Sequence, residues 1–194
     1  MRRLGLVSAA TAGSLAEARF ASAFVSGGSG ADDGSGFFAV IRFVPSDAAA
    51  VAGERFFCGV SSSTAAATNV DPATLTNTIG IAQLSTDATQ FYLVSGGSAA
   101  QTAVPMGTAL GSPVGLPATA FELTIWAPAN VANTFFVEAT NLATKAKFEQ
   151  TLTGAATVIP QSSTLLAPKI WKTNNATALA CAFDLCSVYI ETDN

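Results

Sequence analysis

The chain has 194 residues, of which 49% are hydrophobic and only 11% charged, with a net charge of −4 and no histidine. An ordinary globular domain carries about 25% charged residues, so this surface is coated mainly with Ser, Thr, Ala, Asn and Gln. The charge balance excludes electrostatic capture of nucleic acid or anionic lipid, and the missing histidine excludes Ser-His-Asp, Cys-His and imidazole-metal chemistry.

Taken from the N-terminus, the opening stretch 1–10 has two arginines followed by a weak apolar run that is mostly Ala, Ser, Thr and Gly after Val7. It is too weak for the apolar core of a secretory signal and reads as a first strand and turn. Runs rich in Phe, Val, Ile and Thr then predict strands at 18–25, 36–44, 55–61, 78–84, 90–95, 121–126, 134–140, 145–152, 164–171 and 178–191. Between them, 27–36 reads as a flexible glycine-rich loop, Gly96-Gly97 and 141–144 as tight connections, and 103–117, with three glycines and three prolines, as a long loop. Helical signal is scarce. The alanine-rich stretch 46–53 predicts one turn, and Asp71-Pro72 predicts another, with Asp71 as N-cap and Pro72 in the first helical position.

In the last run Leu179, Cys181, Phe183 and Leu185 share one face, whereas Val188 and Ile190 continue the apolar side with opposite parity. A one-residue slip of that kind predicts a β-bulge near Cys186 or Ser187. Ala178, Ala180 and Ala182 on the second face predict that it too is covered. Ten strands without intervening helices exclude a parallel α/β sheet. Two packed antiparallel sheets follow: an all-β sandwich of the jelly-roll or concanavalin-like lectin type, in one domain over 1–194, with 1–30 as an N-terminal strand or arm plus the glycine-rich loop. The expected core includes Phe37, Phe57, Phe121, Ile125, Leu179 and Phe183.

Residues with chemical potential are few. Cys58, Cys181 and Cys186 match no zinc spacing, and the first and second sit in apolar runs as small buried side chains. Glu122, Glu138 and Glu149 lie on strands and could form the two-carboxylate arrangement of a glycosidase, but acids on outward strand faces are ordinarily solvated. Asp32-Asp33 falls far short of a calcium ligand set and reads as a turn. Tyr92, Trp126, Trp171 and Tyr189 could stack on sugars. Trp126 and Trp171 end apolar strands, where a large aromatic more often closes the core. Asn175-Ala176-Thr177 matches a glycosylation sequon. From these residues no enzymatic activity, cofactor or metal is expected.

Four stretches in order carry a resemblance: Arg55-Phe56-Phe57-Cys58-Gly59-Val60; Thr68-Asn69-Val70-Asp71-Pro72 with Leu75-Thr76-Asn77-Thr78-Ile79-Gly80; Phe121-Glu122-Leu123-Thr124-Ile125-Trp126-Ala127-Pro128; and Trp171-Lys172-Thr173-Asn174-Asn175-Ala176-Thr177-Ala178, closing on Tyr189-Ile190-Glu191-Thr192-Asp193-Asn194. Together they resemble the C-terminal domain of tailed-phage tail fibres, tailspikes and related virion surface proteins, across nearly the whole chain. Ala129 departs from the proline or polar residue usual after the Ala-Pro pair. The resemblance brings no catalytic or ligand residues. It implies a fragment following a longer shaft, made in the host cytoplasm and located on the virion. It also implies other virion proteins and a host-surface glycan or protein as partners, with no nucleic acid and no membrane insertion. A receptor-binding fibre tip is the expected role, a capsid or tail decoration protein the alternative, and a glycan depolymerase the third reading. Mean hydropathy of +0.42 with so few charges predicts burial of surface in an oligomer, and the fibre resemblance makes that oligomer a homotrimer.

Overall fold

The computed structural model describes residues 3–31, 35–114 and 119–192. Among these described residues, twelve strands form two six-stranded antiparallel sheets. In the first sheet, β1 (Leu4–Val7), β12 (Ala182–Thr192), β3 (Phe37–Pro45), β8 (Phe121–Ala127), β9 (Thr134–Asn141) and β10 (Lys147–Thr153) lie side by side in that order. The second runs β2 (Leu15–Arg19), β11 (Ala167–Thr173), β4 (Arg55–Ser61), β5 (Thr78–Leu84), β6 (Asp87–Gly96) and β7 (Val104–Pro105). The chain is thus an all-β sandwich of the jelly-roll, lectin type, and among the described residues no helix is long and apolar enough to cross a membrane.

Period-two alternation produces the layers. In β3, Phe37, Ala39, Ile41 and Phe43 are buried; in β8, Phe121, Leu123, Ile125 and Ala127 are buried. Phe43 forms the centre of the core, with ring centroids 5.0 Å from Phe56, 5.8 Å from Phe121 and 6.1 Å from Phe91. Phe56 in turn meets Phe183 at 6.0 Å. Edge-to-face and offset pairs of this kind stabilise beyond their buried area. A second, smaller cluster forms on the far side of the second sheet, where Phe57 and Trp171 pack against Ala82 and Val94 under Ala67 and Leu75. Phe57 is therefore buried, but outside the inter-sheet core.

The structure agrees with the sequence at several local signals. Strands β4 and β5 have the expected bounds. Asp71 caps a 3-10 turn at Pro72–Thr74, accepting a bond from the Ala73 N–H. The register of β12 against β3 slips between Leu185 and Ser187, placing a bulge at Cys186. Cys58 and Cys181 are buried free thiols, raised by desolvation.

Other expectations are corrected. Leu179 is half exposed rather than in the core, because β12 starts at Ala182. Asn174 directs the preceding segment away from the sheet: its Nδ2 donates to the carbonyls of Ala9, Thr11 and Leu179. Ala178 and Ala180 are consequently exposed rather than covered. The strand expected at 18–25 ends at Arg19, and only Val25 bridges to Leu166. Stretch 46–53 forms no helical turn. The long loop holds β7 and a 3-10 turn at Thr108–Leu110. The glycine-rich stretch is packed where it begins, since a Cβ on Gly28 would lie 1.9 Å from the Pro128 carbonyl oxygen. Asp32 and Asp33 lie outside the described residues.

One polar cluster is sealed inside. Lys172 points from β11 into the sandwich, where its ammonium pairs with Asp47 and lies 3.2 Å from Glu54. Gln83 donates to Glu54 at 3.2 Å, and the Ala182 N–H donates to Asp47 at 2.8 Å. Lys172, Asp47, Glu54 and Gln83 are all essentially inaccessible. Burial pushes the Glu54 carboxyl up, assisted by the charge of Asp47 and opposed by Lys172. Its second oxygen is buried without a hydrogen-bond partner.

Three substitutions test this packing. Phe183→Ala should lower the unfolding free energy by about 3–5 kcal/mol in urea titrations. Glu54 binds its proton more tightly folded than unfolded, so its contribution is fully present below its ordinary value of 4.5 and is lost as pH rises through the folded value. Glu54→Gln should remove that loss: relative to the parent, its thermal midpoint should improve as pH rises from 4.5 through the folded value and stay level above it. Lys172→Met, which strands buried Asp47, should cost about 3–5 kcal/mol.

Candidate functional site

The same alternation that fills the core sets what the first sheet shows to the outside. Phe38, Val40 and Arg42 of β3 point outward, as do Glu122, Thr124 and Trp126 of β8. Register aligns them in rows across the sheet. One row is Phe38, Trp126, Phe136 and Thr151. The next is Tyr189, Val40, Thr124, Glu138 and Glu149. The third is Arg42, Glu122, Thr140 and Lys147.

The first row, joined by Tyr189 of the second, forms an aromatic shelf. Trp126 and Phe136 stack with centroids 5.0 Å apart and planes 30° from parallel, and Phe38 meets Tyr189 edge-on at 6.5 Å. All four rings are exposed, Trp126 by 44% and Tyr189 by 55%. A cleft of about 260 Å³ opens beside them, bounded by Phe38, Trp126, Phe136, Thr124, Glu138 and Glu149.

Its electrostatics are uneven. Lys147 Nζ donates to both oxygens of Glu138 at 2.9 Å, and Thr140 donates to one at 3.0 Å. These bonds, led by that of Lys147, hold the Glu138 carboxyl below its ordinary value. Arg42 is engaged by Glu122. Glu149 faces Glu138 directly across the ladder, and among the described residues no cation lies within ion-pair distance of it. Ring faces suit the apolar face of a sugar, while carboxylates and hydroxyls accept its O–H bonds. Two facing carboxylates are also the minimal equipment for acid–base work on a bound saccharide.

The structure sorts the sequence candidates. It brings Trp126, Tyr189, Glu122, Glu138 and Glu149 onto one face. Trp171 is instead buried under residues 62–77, flooring with Phe57 and Lys169 a separate pocket of about 300 Å³. Tyr92 lies on the other sheet, donating to Asp87 at 2.6 Å. Asn175 occupies a left-handed turn, with the Thr177 hydroxyl bonded to the Ala52 carbonyl. Phe38, Phe136, Arg42 and Lys147 were not anticipated. The available signal lay in the doublets Phe37-Phe38 and Phe135-Phe136: one ring of each must face outward.

No family model matches the chain, and no curated protein matches it significantly. Solved structures do. The chain is similar over 99% of its length to the CBM2 module of the evolved Dit of Lactobacillus casei BL23 phage J-1, covering 77% of that chain at 13% identity and a TM-score of 0.56. It is similar over 98% of its length to arcelin-5, a lectin-like defense protein from Phaseolus vulgaris, covering 86% of that chain at 10% identity and a TM-score of 0.57. It is also similar over 98% of its length to a scytalido-glutamic peptidase, covering 80% of that chain at 9% identity and a TM-score of 0.51. These likenesses establish the fold.

They also correct the expectation that the chain is no enzyme. A glutamic peptidase on this sandwich shows that the fold carries catalysis, so lacking histidine removes only the mechanisms that need imidazole.

The two tryptophans give a direct check on the exposed shelf. Acrylamide should quench the fluorescence of Trp126 strongly and that of Trp171 weakly. Trp126→Phe should leave a blue-shifted, poorly quenched emission with the fold unchanged by circular dichroism.

Proposed function

We propose that this chain is a surface module of a tailed-phage virion that recognises saccharide at the host surface, using the aromatic shelf of the first sheet. The observation that carries the reading is the exposed Trp126–Phe136 stack, held flat by cross-strand register beside a cleft with acceptor groups on its walls. Large aromatics left on a strand face cost solvation unless something covers them. The fibre-domain motifs and the fold shared with a phage module and a lectin-like protein support the same reading.

The module acts within a homotrimer and alongside other virion proteins. Support comes from apolar residues exposed away from the shelf: Leu4, Val7, Phe20, Phe24, Leu165 and Leu179. The number three rests on the fibre resemblance. Light scattering should give three times the 19.6 kDa chain mass; a monomer at micromolar concentration overturns this part.

Isothermal titration against host-surface oligosaccharides tests recognition. Trp126→Ala should weaken binding at least tenfold, about 1.4 kcal/mol, without lowering the thermal midpoint by more than a few degrees. No saccharide binding, with tight retention on purified capsids or tails, would overturn recognition and favour a decoration protein.

A further inference from the structure

We infer that the shelf selects uncharged or amino-bearing saccharides and rejects polyanionic ones such as uronate, sialate or sulfated chains. This rests on the saccharide reading above and names the substrate class of the same site.

The inference comes from which charges around the cleft are already spent. Glu122 comes from β8, Glu138 from β9, Glu149 from β10 and Glu191 from β12, and they face Arg42 of β3 and Lys147 of β10. Four carboxylates against two cations leave two negative charges. Both cations are occupied, Arg42 by Glu122 and Lys147 by both oxygens of Glu138. Each cation is already neutralised by its carboxylate, so a donor left over on Arg42 or Lys147 would hold an incoming acidic sugar only against the charge of Glu122 or Glu138. Glu138 and Glu149 are the two charged residues on the cleft wall, and both carry the same sign.

Polar groups of the ligand must therefore donate. Sugar hydroxyls donate to carboxylates, and an ammonium does so with roughly twice the strength of a neutral donor. A ligand carboxylate or sulfate about 5 Å from Glu149 meets repulsion that lowers affinity several-fold at low salt, weakening as the Debye length shrinks. The shelf crosses β3, β8 and β9, about 10 Å of sheet, which is the scale of a disaccharide.

The test is titration of the full chain with three oligosaccharide probes of equal length: a neutral β-glucan, a glucosamine oligomer and an oligogalacturonate, each at low and high salt. The glucosamine oligomer should bind at least as tightly as the glucan, and the oligogalacturonate at least threefold more weakly at low salt, the gap narrowing at high salt. Glu149→Gln should raise the ratio of oligogalacturonate to glucan affinity. Trp126→Ala should weaken every probe that binds. Oligogalacturonate binding that depends on Trp126 and equals or exceeds glucan binding would overturn the selectivity while leaving saccharide recognition standing. An affinity ratio unmoved by Glu149→Gln would also overturn it. Absence of binding by all three probes would remove both.

Discussion

The rings gathered around Phe43 hold the two sheets together, and the outer surface inherits its layout from them. Phe43 touches Phe56 and Phe91 of the second sheet and Phe121 of its own. A slip of one residue in β3 or β8 would turn these rings out and bring Phe38, Arg42 or Trp126 in. Burying the arginine would be prohibitive unless it were paired. Core packing thus fixes register, and register alone places Trp126 beside Phe136. The aromatic shelf is not shaped by a loop; it is the reverse side of the core.

This explains what was legible in the sequence. Strands β4 and β5, the Asp71 cap and the bulge at Cys186 are written locally, in alternation and turn chemistry, so they can be read without knowing neighbours. Leu179 could not be read that way. Its parity continues that of Phe183, but three hydrogen bonds from Asn174 to distant carbonyls end the strand early. The shelf was half legible: Trp126 and Tyr189 stand out as residue types, yet their association with Phe38 and Phe136 depends on pairings 88 and 10 residues apart in sequence (Phe38 with Trp126, Trp126 with Phe136). Lys172 was the least legible. A lysine in a run of Ile170-Trp171-Lys172-Thr173 looks like a strand-end cation. Only the return of Asp47 and Glu54 over the sandwich end makes its burial tolerable.

The shared fold narrows function less than the side chains do. One sandwich carries a phage CBM2 module, a lectin-like defense protein and a glutamic peptidase, as expected when function resides in sites grafted onto a scaffold. What distinguishes this chain is the distribution of a small number of charges. With thirteen acidic and nine basic side chains, each placement has weight. Lys172 and Lys169 are both buried along β11 of the second sheet, where they meet Asp47, Glu54 and Glu17, so the acidity beside the shelf comes from the carboxylates of the first sheet itself.

Position on strands has a further consequence for recognition. Binding surfaces on loops lose conformational freedom when a ligand arrives, and that loss is subtracted from affinity. Here the rings stand on β3, β8 and β9, strands flanked on both sides by neighbours in the sheet. Their backbones are fixed by ladders, and Trp126 and Phe136 restrict each other's rotation by stacking. Lys147 clamps Glu138 in the same way from β10. The groups that would meet a saccharide are therefore already ordered before it binds. A weakly polar contact area of modest size would then suffice for a ligand, because little of the gain would be offset by ordering. Multiplication across the copies of an assembly would add avidity without any new contact, so a shallow, rigid shelf is sufficient where a deep pocket would otherwise be required.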